Sequence, residues 1–306
     1  MEALPLLVAA TVNAGTPLLL AALGIVVAER SGVVNLGIEG MMLVAAIVAF
    51  AVTHATHSYA LGFAAGAAAG VLLAVAFAWF AIGLHTNQYA TGLALALFGA
   101  GLSAFIGLPY SGESLPARAA DGIAGLRELP ALGAMLFSHH ALVYASWALV
   151  GGVAWFLYRT RWGLVLRAVG ESPEAAHALG YPVRAIRVAA LAFGGACAGL
   201  AGAYLSTIYT PLWAEGMVAG RGWIALALVV FATWRPARVV AGAYLFGGVT
   251  MLQLHLQGEG VQIPSQIMSM APYLATVVVL ALISRNPRWI RLNMPASLGK
   301  PFNPNA

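Results

Sequence analysis

"ALGFAAGAAAGVLLAVAFAWFAI", residues 60–82, carries no charged side chain and no proline. As a helix rising about 1.5 Å per residue it reaches roughly 35 Å, enough to cross a bilayer core of about 30 Å. Its surroundings show that this is no isolated core helix. The chain of 306 residues is 61% hydrophobic and only 8% charged, against roughly 25% charged in ordinary soluble domains. It is read as an integral membrane protein. Thirty-five glycines and many alanines suit helices that approach closely in lipid better than they suit the alternating strands of a membrane barrel. The expected fold is all-α, a polytopic transmembrane helical bundle.

A ruler of about 20 mostly apolar residues places spans near 5–28, 38–55, 60–82, 90–108, 141–158, 188–208, 222–234, 239–256 and 267–284. The segments 38–55 and 222–234 are short and follow the glycine-rich stretches "SGVVNLGIEG" and "EGMVAGRG". They are expected to be broken or re-entrant helices, whose irregular backbone is tolerated only against protein or a cavity. The count is therefore eight to ten. Residues 1–285 form one transmembrane domain, and the Pro/Asn-rich tail 286–306 is expected to be mobile.

The net charge of +5 is no sign of nucleic acid, because most arginines flank apolar runs and so report orientation. Arg159, Arg161, Arg167, Arg184 and Arg187 crowd the connection 159–187; Arg235 and Arg238 mark a second, and Arg285, Arg288, Arg291 and Lys300 fill the tail. All three should face the cytoplasm, including the C-terminus. The opposite side then receives the long connection 109–140, with Glu113, Arg118, Asp121, Arg127 and Glu128 in near balance. Its length favours a docking role over a simple lid. No basic region precedes the first apolar run, so that run reads as a membrane helix and not as a cleaved signal peptide. The lone cysteine, Cys197, offers neither a disulfide framework nor a thiolate metal site.

One polar stretch interrupts the pattern: "RAVGESPEAAHALGYPVRAIR", residues 167–187. Ser172 suits an N-cap, Pro173 the first helical position, Glu174 the positive end of the dipole, and Gly180 the C′ position, with Pro182 just beyond. The expected helix runs from about Pro173 to Leu179. Something so short is not stable alone in water, so it needs a surface to rest on. Ala175, Ala178 and Leu179 form an apolar strip large enough to seat in a groove. The residues alone leave two readings open: an ordinary capped connector lying on the bundle, or a docking element.

Glu174-Ala175-Ala176, followed by three residues and then Gly180, resembles the cytoplasmic EAA loop of ABC importer permeases. It departs from the fuller pattern in lacking the downstream Leu-Pro and in having Ala190 at the Ile position. The stretches 29–46 ("ERSGVVNLGIEGMMLVAA"), 86–105, 167–206, 215–248 and 270–280 also resemble, in order, the permeases of nucleoside and simple-sugar ABC importers, a branch related to ribose and branched-chain amino acid permeases. The resemblance extends over roughly residues 5–285. It implies a permease subunit in the bacterial cytoplasmic membrane. Such a subunit is paired with a second permease, identical or different, driven by ATP and Mg²⁺ on a separate ABC ATPase, and supplied by an extracytoplasmic substrate-binding protein. Pro173, Glu174, Ala175, Ala176 and Gly180 are the coupling candidates it implies. In keeping with that, the sequence holds no G-x-x-x-x-G-K-[ST] phosphate loop, so neither bound nucleotide nor enzymatic activity is expected of this chain.

Ionisable and amide groups at membrane depth are expensive and therefore candidates for function. Asn35, Glu39, Asn87, Gln88, Glu215, Arg221 and Trp223 are candidate path-lining residues, since amides and carboxylates can bond sugar hydroxyls and base edges and an indole can stack on a ring. The structural alternative has Asn35 and Glu39 capping broken helices, Asn87 and Gln88 at the interface, and Arg221 paired with Glu215. Glu39 and Glu215 each open an E-G-M triplet, which raises an internal repeat. His54 and His57, and the adjacent His139 and His140, lack the carboxylate company of a zinc motif and read as interfacial. With no metal, nucleophile elbow or catalytic residue expected, the other transport reading is an ion-coupled secondary transporter of a small polar solute, and an intramembrane enzyme is a third class.

Overall fold

A computed structural model describes residues 3–116, 122–123, 125–129, 132–259, 270, 274, 277–278, 281 and 293–303. Among these the architecture is helical throughout: α1 (Ala3–Arg30), α2 (Ile38–Thr56), α3 (Tyr59–Ala78), α4 (Gln88–Gly107), α5 (Ala141–Arg159), α6 (Arg161–Glu171), α7 (Pro173–Ala178), α8 (Val183–Tyr204), α9 (Arg221–Phe231) and α10 (Pro236–Gly258). Wide turns carry α3 on to Gly83 and α8 on to Tyr209. Among the described residues seven helices are long and apolar enough to cross a membrane, and the 11-residue α9 is a shorter apolar segment. This is a polytopic membrane bundle. The ninth expected span, 267–284, falls largely outside the described residues.

The two glycine-rich stretches resolve differently. Residues 38–56 form a full-length helix, but the backbone before it, 31–37, is irregular and descends beside α4. Along that descent Val34 meets Gln88, Leu36 lies over Gly92 and Gly40 over Ala96 and Gly99. The helix after the second stretch, α9, is genuinely half-length. Both breaks lie against protein, as membrane depth demands.

Helices α1, α2 and α8 form the centre, with Leu19, Leu23, Met41, Met42, Ala45 and Ala198 wholly buried. Close approach depends on missing side chains. A Cβ on Gly70 of α3 would come within 2.1 Å of the Gly195 carbonyl oxygen in α8. The reverse substitutions are as tight, at 2.4 Å from Gly195 to Gly70 O and 2.4 Å from Gly199 to Gly66 O. Small residues four apart on both helices thus let two backbones touch.

Two expectations need correction. Arg187, read as a surface orientation signal, is interior, with only 1% of its surface exposed in α8. The tail, expected to be mobile, is packed over residues 293–303: Pro295, Ser297 and Phe302 are buried, and Ser297 is hydrogen-bonded to the Gly170 carbonyl. Helix α6 was not foreseen in the connection 159–187.

Candidate functional site

The residues of interest gather in two places, one inside the bundle and one at its arginine-rich end. Inside, the first turn of α2 carries Glu39, whose carboxylate reaches across to the start of α9. One oxygen accepts the Gly220 N–H at 2.8 Å and the other the Gly222 N–H at 2.7 Å. These are donors that a helix N-terminus leaves without internal partners. Glu39 therefore caps a helix 181 residues away, with its charge at the positive end of two helix dipoles. Gly222 is required for this contact, because a Cβ there would lie 2.7 Å from the Glu39 carboxylate.

Around it, polar side chains hold the irregular backbone. Buried Asn35 accepts the Gly37 N–H at 2.8 Å in a local turn and points its amide nitrogen at the Met41 sulfur, 3.7 Å away. Buried Gln88 accepts the Val34 N–H at 2.9 Å. Asn87 is the N-cap of α4, accepting from Tyr89 and Ala90. Arg221 lies over the Tyr209 ring and donates to the Met217 and Val218 carbonyls, with no hydrogen bond or ion pair to Glu215 among the described contacts. Glu215 is exposed in the loop before α9, and Trp223, on α9's first turn, is 38% exposed. Glu39 lies in the first turn of a helix and Glu215 in a loop, so the two E-G-M triplets sit in different local structures. Of the seven lining candidates the fold brings Glu39 and Arg221 to the start of α9 and places Asn35, Asn87 and Gln88 along the α2 break. There they carry backbone hydrogen bonds.

Sequence reasoning missed a third buried group in this bundle. Glu29 and Arg30 end α1 and hold the left-handed turn between α9 and α10. The Trp234 indole N–H donates to Glu29 at 2.5 Å, while Arg30 Nη2 donates to the Trp234 carbonyl at 3.2 Å. The "ER" of residues 29–30 already lay in a stretch that carries the family resemblance, but nothing local linked it to Trp234. Replacing Trp234 with Phe keeps an aromatic ring, though a smaller one, and removes the donor, which leaves the Glu29 carboxyl without that partner. A loss of about 1–3 kcal/mol is expected, read as a lower thermal midpoint of the detergent-solubilised protein.

At the arginine-rich end, α7 follows the expected plan. Ser172 is the N-cap and accepts the Ala175 N–H, Pro173 opens the helix, and Gly180 adopts φ +87° just past its end. Pro173 and Ala176 face inward and are buried; Glu174, Ala175, Ala178 and Gly180 are exposed, and Leu179 is 78% exposed. The apolar strip Ala175, Ala178 and Leu179 is thus presented outward, with its opposite face seated on Val169, Val183 and Phe302.

At the far end, residues 113–115 clasp 211–213. Leu115 N–H donates to the Pro211 carbonyl and Trp213 N–H to that of Glu113, with Trp213 buried under Gly107. His54 lies 3.8 Å from Glu113 and stacks on Phe50. His140 caps α5, and His139 bonds the Met135 carbonyl.

A family model described as the branched-chain amino acid transport system permease component matches residues 7–284. The chain belongs to this permease family. The permease is 44% identical to a putative glucose ABC transporter permease of Haloferax volcanii, with 96% of each chain covered. It is 32% identical to a guanosine ABC transporter permease of Bacillus subtilis, covering 92% of each. To a nucleoside ABC transporter permease of Lactococcus lactis it is also 32% identical, covering 92% of this chain and 93% of the relative. No solved structure matches. An ABC-transporter permease is therefore the right class over an ion-coupled secondary transporter, and such permeases work in general with an ATPase and a substrate-binding protein.

Proposed function

We propose that this permease is one of two membrane subunits of a bacterial ABC importer that carries nucleosides or simple sugars across the cytoplasmic membrane. ATP and Mg²⁺ are held by a separate ATPase, which docks on α7 at the arginine-rich, cytoplasmic end, the end that also carries the C-terminal tail. A substrate-binding protein delivers cargo at the opposite end, where 113–115 and 211–213 meet. The observation that carries this reading is the outward-facing strip of α7. A six-residue helix capped at both ends and seated on its inner face, yet showing Leu179 and Glu174 to the outside, has the form of a projection made for a cleft.

The cargo class draws support from the names of three relatives and from the chemistry at Glu39. Two helix N-termini converging inside a membrane would attract an anion. Glu39 supplies that negative charge itself, which favours an uncharged polyhydroxylated solute over a phosphorylated one. Asn35, Asn87, Gln88, Glu215, Arg221 and Trp223 are retained as path candidates on the same reading.

The test is uptake of labelled guanosine and labelled glucose by cells with and without the gene, together with Glu174→Arg. That substitution reverses the charge on the exposed face of α7. Uptake is expected to fall at least about tenfold, the effect of roughly 1.4 kcal/mol at the dock, with less ATPase co-purifying and the permease itself still folded. Unchanged uptake and unchanged co-purification would refute the docking assignment.

A further inference from the structure

The tail and Arg187 form an assembly that neither the transport activity nor the coupling motif accounts for. Three backbone segments far apart in sequence meet here: the break after α1, the end of α6 with α7, and residues 293–303. Arg187 sits at their centre. Its Nε donates to the Ser31 carbonyl at 3.1 Å, its Nη2 to Ser297 Oγ at 3.2 Å and its Nη1 to the Lys300 carbonyl at 3.4 Å. Ser297 in turn donates through its hydroxyl to the Gly170 carbonyl at 2.7 Å and through its N–H to the same oxygen at 3.0 Å. The Gly299 N–H donates to the Gly32 carbonyl at 3.1 Å, and the Ala296 N–H to Glu171 at 3.3 Å.

Beyond that knot the tail reaches α7. Phe302 is 6% exposed and packs with Val169, Ala176 and Val183, and its ring meets His177 edge-on at 5.6 Å. Ala176 lies on the inner face of α7, opposite the strip offered to a partner. The tail is therefore wedged behind the coupling helix, with Phe302 against α7 and Gly299 bonded to Gly32, whose segment leads down to Glu39. Fit is tight along its length, since a Cβ on Gly32 would lie 2.4 Å from Ser297 Oγ and one on Gly299 2.6 Å from the Tyr89 hydroxyl oxygen.

We propose that residues 295–303 are a brace that joins α7 to the break 31–37, so that displacement of the coupling helix is delivered to the buried start of α2 instead of being absorbed in the connectors on either side of α7. Phe302 and Arg187 are its positioning residues. This rests on the reading that α7 docks the ATPase. Without the brace, α7 is held only through its covalent neighbours and a few contacts to α6 and α8, and a helix this short has little stiffness of its own. With it, one body includes α7, the end of α6, the start of α8 and the re-entrant backbone.

The experiment uses the complete transporter in proteoliposomes and reads labelled guanosine or glucose moved per ATP hydrolysed, with ATPase stoichiometry and the amount of folded permease measured alongside. The variants are Phe302→Ala, Phe302→Tyr and a chain ending at Met294. Phe302→Ala is expected to keep the ATPase bound and hydrolysing while transport per ATP falls about threefold; the shortened chain should lose about tenfold or more, within the range over which single changes alter coupling between sites. Phe302→Tyr, which keeps the ring, should restore near-normal coupling. The proposal is overturned if transport per ATP stays normal in Phe302→Ala, or if transport falls only in proportion to folded permease. Release of the ATPase from Phe302→Ala would overturn it as well, since the tail would then belong to the dock. If the shortened chain does not assemble, the two point variants decide. Glu174→Arg run in parallel separates the two ideas: retention of uptake there refutes docking on α7, whereas its loss together with normal coupling in Phe302→Ala refutes only the brace.

Discussion

Glu39→Ala is expected to destabilise the permease by about 2–6 kcal/mol, the sum over two amides at about 1–3 kcal/mol each. The Gly220 and Gly222 N–H groups now donate to the two carboxylate oxygens. In the bundle interior no water replaces an acceptor lost at membrane depth, so the start of α9 would be left with open donors. The measurement is thermal unfolding of purified protein in detergent, with Glu39→Gln beside it. Glutamine keeps one acceptor oxygen and so should lie between wild type and alanine. Equal midpoints for all three would show that α9 draws nothing from this cap. A graded fall in stability with uptake per folded molecule unchanged would assign Glu39 to structure alone and remove it from the path.

The seam between α3 and α8 gives the second large effect. Gly70→Val inserts three carbon atoms where even a Cβ would stand 2.1 Å from the Gly195 carbonyl oxygen. Backbone blocks that position, and no flexible side chain can move aside. Overpacking of this kind costs about 3 kcal/mol or more, and the expected result is failure to recover folded protein from membranes. Gly151→Ala is the matched control. It too lies within an apolar helix, but an added Cβ meets nothing within 4 Å. Its effect should be neutral or slightly favourable, since glycine in a helix interior is worse than alanine by roughly 0.5–1 kcal/mol. Similar losses for both would mean that glycine content, and not the seam, governs stability.

What could be read from the sequence follows the range of the interactions involved. Spans were legible because lipid imposes length and composition on every crossing helix, and 60–82 or 141–158 need no partner to be identified. The capped helix was legible for the same reason: Ser172, Pro173 and Gly180 act within one turn of where they stand. Glu39 was legible only as an expensive residue, because its partners at 220 and 222 are brought to it by the fold. The alternative that paired Arg221 with Glu215 failed on the same ground. Nearness in sequence gave a plausible mate, whereas the folded chain put Tyr209 and two carbonyl oxygens in reach. Arg187 shows the limit of counting charges by side. An arginine at the end of an apolar run normally marks the surface, yet this one satisfies three acceptors in the interior. Nothing in "YPVRAIRV" distinguishes it from Arg184, which is exposed.

The docked tail also bears on how the protein is made. Ser31 and Gly32 leave the ribosome early, but the donors to their carbonyls, Arg187 Nε and the Gly299 N–H, come 156 and 267 residues later. Contacts of such separation form last and slowly, so every other helix can already be inserted while the break after α1 still lacks its cover. Completion of the arginine-rich end then waits for residues 295–303 to be translated. A chain cut short near its end would be inserted yet unsealed, with its coupling helix unsupported, and so open to proteolysis before any partner arrives.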